Sequence, residues 1–398
     1  MLDTIFIGMS GLTGYSKGLR VIGNNLTNVN TPGFKGSQLE FADLFYQQSA
    51  ANGQTGLGSQ SMQLGTGLNT LATTVNFKQG ELHQTGNASD VAINGEGYFL
   101  LRNGDQLRYT RAGQFQFDKD GFLISQFSGA RVAGLDDNSQ VVDVSLDKLQ
   151  TSSPKATSIV QFTGNISNTA TADVVLDGVK VIDATGGEHV LKLTFKNNGA
   201  TTPGSWAVTV AEGTTTVGSG SLQFSNGNMV AGSDKISINF APANVAPFSM
   251  SLDFSNNVTS FAAGNTSSIA VKSQNGYGAG VLTKVSFDAA GLLTATYSNG
   301  QTAKGAHLAL AQFDTTNDLS PSGGNEFIST NPQGAHLGTP QSGSFGTITS
   351  GAVEGSNVDM AEEFSNLIVM QRGYQASSHV ISTANDMIQE LFDMKGHR

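Results

Sequence analysis

Residues 359–392, DMAEEFSNLIVMQRGYQASSHVISTANDMIQELF, determine how this chain is organised. Asp359 and Glu362 have the spacing of a capping box, which is typical of the start of a helix. Apolar residues then recur at heptad spacing, at Met360, Phe364, Leu367, Tyr374, Ile381, Ile388 and Phe392. The other positions of this seam are polar, and polar seam residues reduce stability while fixing the register of a helical assembly. We therefore predict a long helix that has specific helical partners.

The N-terminal thirty residues carry a second heptad pattern, formed by Leu2, Ile5, Met9, Leu12, Leu19 and Leu26. Glycine is frequent in this segment, and each glycine weakens an isolated helix by about 1 kcal/mol relative to alanine. We expect the helix to be poorly ordered until neighbours bury its apolar seam. Thr31-Pro32-Gly33 must end it, because proline restricts the residue before it and glycine permits a turn. The two ends of the chain, 1–30 and 358–398, are thus predicted to form one helical polymerisation core.

The region between the two helices is predicted to be β-structure throughout. Apolar and polar residues alternate in segments such as 189–195, 205–210 and 292–297, and clusters of Gly, Asn and Asp separate these segments. This alternation is typical of strands that have one buried face.

Shifts in composition divide this region further. Residues 31–69 are predicted to be an extended connector, since the part from 49 to 68 is low in charge and in apolar content. Residues 70–145 and 281–357 are predicted to form a first, discontinuous β-domain, and residues 146–280 an inserted outer β-domain. The predicted fold class is therefore multidomain, with discontinuous all-β domains in the middle and terminal α-helices that pair as a coiled-coil-like core.

Charge and composition exclude several classes of protein. The 398 residues carry a formal net charge of −10 and no basic stretch, which argues against nucleic-acid binding. Cysteine is absent, so disulfides, thiolate metal sites and cysteine nucleophiles are excluded. No stretch approaches the ~18 apolar residues of a spanning helix, and the N-terminus lacks the features of a cleaved secretory signal. We expect neither membrane insertion nor an ordinary signal peptide.

Three patterns suggest chemistry, and each has a better structural explanation. The six histidines are scattered without metal-ligand spacing. Residues 14–18, GYSKG, match the letters of a nucleophile elbow but lie within the N-terminal helical pattern, without a preceding strand. Residues 118–121, DKDG, resemble the start of a calcium loop, yet Leu123 and Gly129 stand where such a loop needs Gly and Glu. A hairpin turn at Asp120-Gly121 explains this stretch better, so we expect no enzyme activity, no metal site and no cofactor.

Four stretches of the chain resemble the rod and hook family of the bacterial flagellum. The most specific is NNLTNVNTPGFK at 24–35. SDVAINGEGYF at 89–99, YTRAGQF at 109–115 and the segment 358–391, which contains QRGYQA, follow in the same order. The resemblance covers both ends and the first β-domain, whereas the block 146–280 carries no such motif.

The resemblance implies a structural role in a tubular helical polymer, with paired terminal helices around a central channel and β-domains outside. Rod subunits of the family share these ends but are shorter, so the inserted block favours the hook subunit, a bendable coupling that carries motor torque to the filament. The implied partners are further copies of the chain, the rod and hook-filament junction proteins, and the hook cap. The alternatives are a distal rod subunit and a secreted β-rich adhesin or glycan-active enzyme.

The resemblance also implies an extracellular location in the basal body and hook, reached through the flagellar type III export apparatus without a cleaved signal peptide. Phe41 and Phe45, in the segment FADLF, are the candidate recognition residues for that apparatus. Packing of these aromatic rings on each other or on the first β-domain explains them equally well.

Overall fold

The structure, a computed structural model, describes residues 2–44, 46–49, 62–65, 67–136, 138–315 and 318–396. Two long helices lie near the ends of the chain: α1 spans Leu2–Thr27 and α2 spans Met360–Gly396. Oδ1 of Asp359 accepts the N–H groups of Ala361 at 2.7 Å and Glu362 at 3.2 Å, as the capping-box spacing predicts. In the described residues, neither helix combines its length with enough apolar residues to span a membrane.

The segment predicted to be a connector forms most of an antiparallel hairpin of four strands, the last of which continues to Val75, past the predicted end at 69. Its strands are β1 (Ser37–Asp43), β2 (Tyr46–Ser49), β3 (Met62–Gly65) and β4 (Leu68–Val75). β1 pairs antiparallel with β4, and β2 pairs antiparallel with β3. A sequence of low charge and low apolar content does not reveal such a ladder, because main-chain hydrogen bonds require no particular side chain.

The other strands follow in chain order, together with a short 3-10 helix at Pro332–Gly334. The first group is β5 (Leu82–Gln84), β6 (Val91–Asn94), β7 (Tyr98–Asn103), β8 (Gln106–Thr110), β9 (Phe115–Phe117), β10 (Leu123–Ser125), β11 (Arg131–Leu135) and β12 (Val141–Asp143). The second is β13 (Thr151–Ser152), β14 (Ile159–Asn165), β15 (Val174–Ile182), β16 (Glu188–Asn197), β17 (Ser205–Glu212), β18 (Thr215–Ser225), β19 (Asn228–Met229), β20 (Lys235–Phe240), β21 (Phe248–Asp253), β22 (Val258–Thr259), β23 (Ala270–Gln274) and β24 (Gly280–Phe287). The third is β25 (Leu292–Tyr297), β26 (Thr302–Leu308), β27 (Leu310–Phe313), β28 (Leu319–Gly323), β29 (Glu326–Ser329), β30 (Ala335–Gly338), β31 (Thr347–Ser350) and β32 (Ala352–Glu354).

The chain divides into two compact units. Unit 1 comprises Met1–Asp147, Ser286–Thr294 and Lys304–Arg398, and unit 2 comprises Lys148–Val285 and Ala295–Ala303. Unit 2 is thus inserted, in sequence, into a discontinuous unit 1. The finer domain boundaries drawn from composition stay a prediction.

Unit 1 is built on antiparallel strands that enclose an aromatic core. β7 pairs with β8, β11 and β27, and β8 also pairs with β29. Tyr98, Leu100, Tyr109 and Phe327 are among the buried residues of this core. The predicted hairpin is present: β9 pairs with β10, and Gly121 in the turn has a φ of +80°, which favours glycine.

Most strands of unit 2 form one ten-stranded sheet, which encloses a second core. Its strand order is β15-β16-β17-β18-β19-β22-β14-β21-β20, and β14 runs parallel to β21 and β22. β18 faces β20 closely, since a Cβ atom on Gly220 would lie 2.5 Å from Cγ2 of Ile236. The core contains Trp206 and the stacked rings of Phe162 and Phe254, whose centroids are 4.5 Å apart. The alternating segments 189–195 and 205–210 are confirmed as β16 and β17.

Candidate assembly interface

α1 and α2 lie antiparallel in unit 1, and glycines bring their backbones close together. A Cβ atom added to Gly8 would lie 2.7 Å from Cγ1 of Ile381, and one added to Gly18 would lie 3.0 Å from Sδ of Met370. On the other helix, a Cβ atom on Gly373 would lie 2.5 Å from the ring of Tyr15. A Cβ atom at Gly8 or Gly373 would overlap the facing helix, and one at Gly18 would press against Met370, so the glycines permit a closer approach of the two backbones.

The face of α2 that packs on α1 has its own heptad spacing. Its half-buried or buried members are Glu363, Leu367, Met370, Gly373, Ser377, Ile381, Ala384 and Ile388. Steps of three and four residues place them on one side of the helix, as in a coiled coil. The coiled-coil-like pairing of the terminal helices is therefore confirmed, through a face that is partly small.

A second set of apolar residues on the two helices points away from this contact. Phe6 and Met9 of α1 are 62% and 51% exposed, and Val369 of α2 is 62% exposed. Other exposed apolar residues of α2 include Met360, Phe364, Ile368, Val380, Met387 and Met394. A soluble chain rarely exposes so many neighbouring apolar side chains unless they contact a partner.

The residues predicted for the subunit interface fall into two groups on α2. Leu367, Ile381 and Ile388 lie on the face towards α1. The others, Met360, Phe364, Tyr374 and Phe392, are exposed. Their role between subunits stays a prediction, since a single chain contains no subunit contact.

On α1, Ile5, Leu12, Leu19 and Leu26 are half-buried, and Met9 is exposed. The side chain of Leu2 lies outside the described part of the structure. Gly8, Gly11 and Gly18 also face α2, since a Cβ atom at each would lie 2.7, 2.6 and 3.0 Å from a side chain of that helix. Reasoning from apolar periodicity missed them, although their spacing of three and seven residues was the available signal.

The candidate export residues have different outcomes. Phe41 lies in β1 and packs against Tyr15 of α1, with ring centroids 6.0 Å apart. Phe45 lies outside the described residues. Phe41 therefore has a packing role, but its partner lies on α1, which the sequence-based explanation did not include. The recognition role of both residues stays a prediction.

A buried cluster of charges lies where both helices join the β-structure of unit 1. Nζ of Lys35 lies 2.5 Å from Oε1 of Glu354, and both side chains are fully buried. Nη1 of Arg111 donates to Oε2 of Glu354 at 3.2 Å, and Nη2 donates to the carbonyl oxygen of Gly95 at 2.9 Å. Two cations thus share one carboxylate, and the backbone N–H of Gly80 adds a further hydrogen bond to it.

Burial changes the acid-base behaviour of this cluster. Loss of hydration lowers the pKa of Lys35, although the Glu354 carboxylate opposes that shift. Burial raises the pKa of Tyr98, over which Arg111 lies, to about 12. The cluster therefore depends on Glu354 to keep its cations paired.

Two asparagine side chains connect the helix ends to the hairpin. The amide of Asn25 donates to the carbonyl oxygen of Ser37 and to Oε1 of Glu363, both at 2.7 Å. Oδ1 of Asn357 accepts the N–H of Gly36 at 2.8 Å, and its amide donates to the carbonyl oxygen of Asn76 at 2.7 Å. Burial raises the pKa of Glu363, and the hydrogen bond from Asn25 opposes that shift.

The turn after α1 explains the most specific sequence motif. Gly33 has a φ of +70°, and a Cβ atom there would lie 2.4 Å from the backbone nitrogen of Ala112. Its N–H donates to the carbonyl oxygen of Glu354 at 2.8 Å. The segments 24–35 and 109–115 thus meet beside the strand that precedes α2. Lys35 and Arg111 stand within the quoted motifs, yet the sequence did not reveal that they meet at Glu354. Asn25 lies in the first of these motifs and donates to Glu363 instead.

The patterns examined for chemistry have structural roles. Oδ1 of Asp118 accepts the N–H groups of Asp120 and Phe122, so it stabilises the hairpin turn. Within the described residues, no group of three or more His, Asp or Glu side chains has an arrangement that could hold a metal ion. Residues 14–18 lie within α1.

One histidine of unit 2 lies between two carboxylates. Nδ1 of His189 is 2.7 Å from Oε1 of Glu212, and Nε2 is 3.0 Å from Oδ2 of Asp183. Burial alone would lower the pKa of His189, but the hydrogen bonds to Asp183 and Glu212 outweigh it and raise the pKa above 6.5. Burial would likewise raise the pKa of Asp183, yet hydrogen bonds from His189 and Thr185 hold it well below its usual range. Both ring nitrogens donate only in the imidazolium form, so this geometry favours a protonated histidine.

Four family models match the chain in order, and all describe flagellar rod or hook proteins. They are the flagella basal body rod protein at 5–35, the flagellar hook protein FlgE/F/G D1 domain at 92–168, the flagellar basal body protein FlaE D2 domain at 175–277, and the flagellar basal body rod FlgEFG protein C-terminal at 349–394. These segments include both helices and parts of both units. They define a class of protein, the axial proteins of the flagellum.

Full-length relatives narrow that class. The flagellar hook protein FlgE of Borreliella burgdorferi is 31% identical, over 99% of this chain and 100% of its own length. The flagellar hook protein FlgE of Escherichia coli K12 is 30% identical, over 97% of this chain and 98% of its own length. The flagellar basal-body rod protein FlgG of Bacillus subtilis is 25% identical, over 99% of this chain and 100% of its own length. The chain belongs to the flagellar hook protein family.

Proposed function

We propose that this chain is the building block of the flagellar hook, and that it self-assembles into a bendable tubular polymer that couples motor torque to the filament. The observation that carries the proposal is the exposed apolar set on α1 and α2, which includes Phe6, Met9, Phe364 and Val369. A structural rather than catalytic role follows from membership of the hook family.

The geometry of the helix pair supports an open polymer. Each chain presents apolar residues on more than one side of the pair, so one copy can contact several others. A contact between two different surfaces that does not close into a ring generates a helical filament. The predicted interface residues, among them Ile5, Leu12, Tyr374 and Phe392, are proposed to lie within those contacts.

Further partners and the route of export belong to the same proposal. The rod and hook-filament junction proteins are proposed to contact the ends of the polymer, and the hook cap its growing end. The flagellar type III apparatus is proposed to export the chain without a cleaved signal, with Phe41 and Phe45 as candidate recognition residues. The protein then lies outside the cell, in the flagellum.

A distal rod subunit is the second candidate. The observation that favours it is the full-length match to a relative named as a rod protein. Bending stiffness separates the two roles, because a rod must be straight and stiff whereas a hook must bend.

Electron microscopy of the purified chain after assembly tests the proposal. Flexible curved tubes support the hook, straight stiff tubes support the rod, and the absence of tubes overturns both roles. Val369→Ser should abolish tubes while the monomer stays folded, because Val369 is exposed in the single chain. Gln371→Ser is the matched control, since it changes an exposed polar residue of the same helix and should leave assembly unchanged.

A further inference from the structure

The last turns of α2 extend past the described part of α1. Gly8 lies opposite Ile381, and Gly18 lies opposite Met370. Because the helices are antiparallel, a residue of α1 and the residue of α2 opposite it have numbers whose sum is about 388. The start of α1 at Leu2 is therefore level with residue 386. The segment 387–396 is ten residues long, or about 15 Å of helix, and we call it the α2 extension.

The face that packs on α1 continues into the α2 extension. Ser377, Ile381, Ala384 and Ile388 follow one another at steps of four and three residues, and Leu391 is the next member. Leu391 is 49% exposed, and Phe392 and Met394 are 70% and 76% exposed. The extension is thus a continuation of an existing helical interface whose apolar residues lack cover in the single chain.

A groove of about 340 Å³ lies between α1 and the hairpin strand β4. Phe6, Met9, Leu44 and Leu68 supply its apolar lining, and Thr13 lies on the same side of α1. This is a different face of α1 from the glycine face that contacts α2. A water molecule occupies about 30 Å³ of liquid, so the groove has room for bulky side chains. We call it the α1 groove.

The charges of the two surfaces are complementary. Lys17 is the charged side chain among the residues that line the α1 groove, and its Nζ donates to Oγ1 of Thr70 at 3.0 Å. The α2 extension carries Glu390 and Asp393, both exposed, and one basic residue, Lys395, so its formal net charge is about −1. Acidic groups placed beside an exposed ammonium group favour this pairing over docking of one α2 extension on another.

An α2 extension that occupies the α1 groove must come from another molecule. Within one chain, Met9 lies opposite residue 379, which is 13 residues before Phe392 on the same helix. That separation is about 20 Å, too far for the extension to reach its own groove. We propose that the α2 extension of one copy docks in the α1 groove of a second copy, a contact that rests on the proposed polymer and identifies its partner surfaces.

Cysteine cross-linking tests this contact directly, because the chain has no cysteine of its own. Met9→Cys and Phe392→Cys chains would be mixed, assembled and oxidised, and the disulfide-linked dimers identified by mass spectrometry. We expect the mixed dimer, linked through positions 9 and 392, at least tenfold above the mixed dimer formed when Gln371→Cys replaces Phe392→Cys. Each variant carries a single cysteine, so every disulfide joins two chains. The disulfide needs Cα atoms within about 7 Å of each other, so it reports a direct contact.

Tubes without the mixed dimer would overturn the docking contact and leave the proposed polymer intact, as would a dominant dimer of two Phe392→Cys chains. Absence of tubes from the parent chain would overturn both.

A charge exchange gives an independent readout if a cysteine variant assembles poorly. Lys17→Glu should raise the critical concentration for assembly at least tenfold, and Asp393→Lys in the same chain should restore it. Failure of Asp393→Lys to restore assembly would contradict the contact.

Discussion

Glu354 is the residue on which the junction of helices and β-structure depends. It stands between Lys35 and Arg111, and its side chain is fully buried. Burying charges is costly, and the attraction between them offsets that cost only while every partner is present. The cluster therefore serves to specify one arrangement of four segments of chain rather than to add much stability.

Glu354→Gln should lower the free energy of unfolding of unit 1 by about 3–5 kcal/mol, because it leaves two buried cations without a carboxylate. Calorimetry would measure the unit 1 transition. Trp206, the single tryptophan of the chain, lies in the core of unit 2, and the transition seen by its fluorescence should not move. Glu81→Gln, at an exposed glutamate, should change neither transition. An unchanged unit 1 in Glu354→Gln would show that the cluster tolerates a neutral partner.

At the scale of single elements, the glycines of α1 lower its intrinsic helix stability but allow it to approach α2 closely. Gly8→Ala should raise the critical concentration for assembly at least tenfold, equivalent to about 1.4 kcal/mol, because its Cβ would lie 2.7 Å from Ile381 and 3.3 Å from the carbonyl oxygen of Ser377. Gly23→Ala is the matched control, since a Cβ there meets nothing within 4 Å. It should leave the critical concentration equal or lower, because alanine favours helix. Sedimentation, which separates polymer from soluble chain, measures the critical concentration of both variants. Equal critical concentrations for Gly8→Ala and Gly23→Ala would contradict the close packing.

The strands of unit 2 around His189 predict a dependence on pH. The pKa of His189 is raised in the folded chain, so its contribution to stability is complete below the unfolded pKa of about 6.5 and is lost as pH rises through the folded pKa. The midpoint of unit 2 unfolding, followed by Trp206 fluorescence in urea, should therefore fall as pH rises above about 6.5.

Asp183 and Glu212 lie at hydrogen-bond distance from the ring of His189. The ring of Phe240 packs against the His189 ring in a T-shaped arrangement, with the two centroids 5.1 Å apart. His189→Gln should remove the dependence above pH 6.5. His336→Gln, at an exposed histidine of unit 1, should keep it. If the urea midpoint of His189→Gln falls with pH as much as that of the parent chain, another group causes the pH dependence.

The sequence revealed which elements exist better than it revealed which faces meet. The seam on α2 included Leu367 and Ile381, which do pack on α1, because an apolar side chain is a signal that periodicity detects. Gly8 and Gly18 gave no such signal, since a contact made by the absence of a side chain has no hydrophobic period. The β1–β4 hairpin was missed for a related reason: its ladder consists of main-chain bonds. The buried cluster at Glu354 joins residues distant in sequence, which no local pattern relates.

At the scale of the whole molecule, unit 2 can be removed where the chain crosses between adjacent strands. Ser152 in β13 lies directly opposite Gly280 in β24, so a two-residue Asn-Gly turn can join them after deletion of 153–279. The shortened chain should still form tubes, because the helices of unit 1 are untouched, but tubes of different curvature and stiffness. Electron microscopy of the tubes measures both properties. Curvature and stiffness equal to those of the parent would show that unit 2 does not govern bending.

The pairing of Lys35 with Glu354 spans 319 positions of the chain, and it has a consequence for quality control. Synthesis begins at the N-terminus, so Lys35 is made long before its counter-charge exists. A chain that stops early lacks Glu354 and α2 together, and it cannot bury Lys35 without leaving that charge unpaired. Products truncated before residue 354 are therefore unable to complete the charge cluster beneath the helix pair.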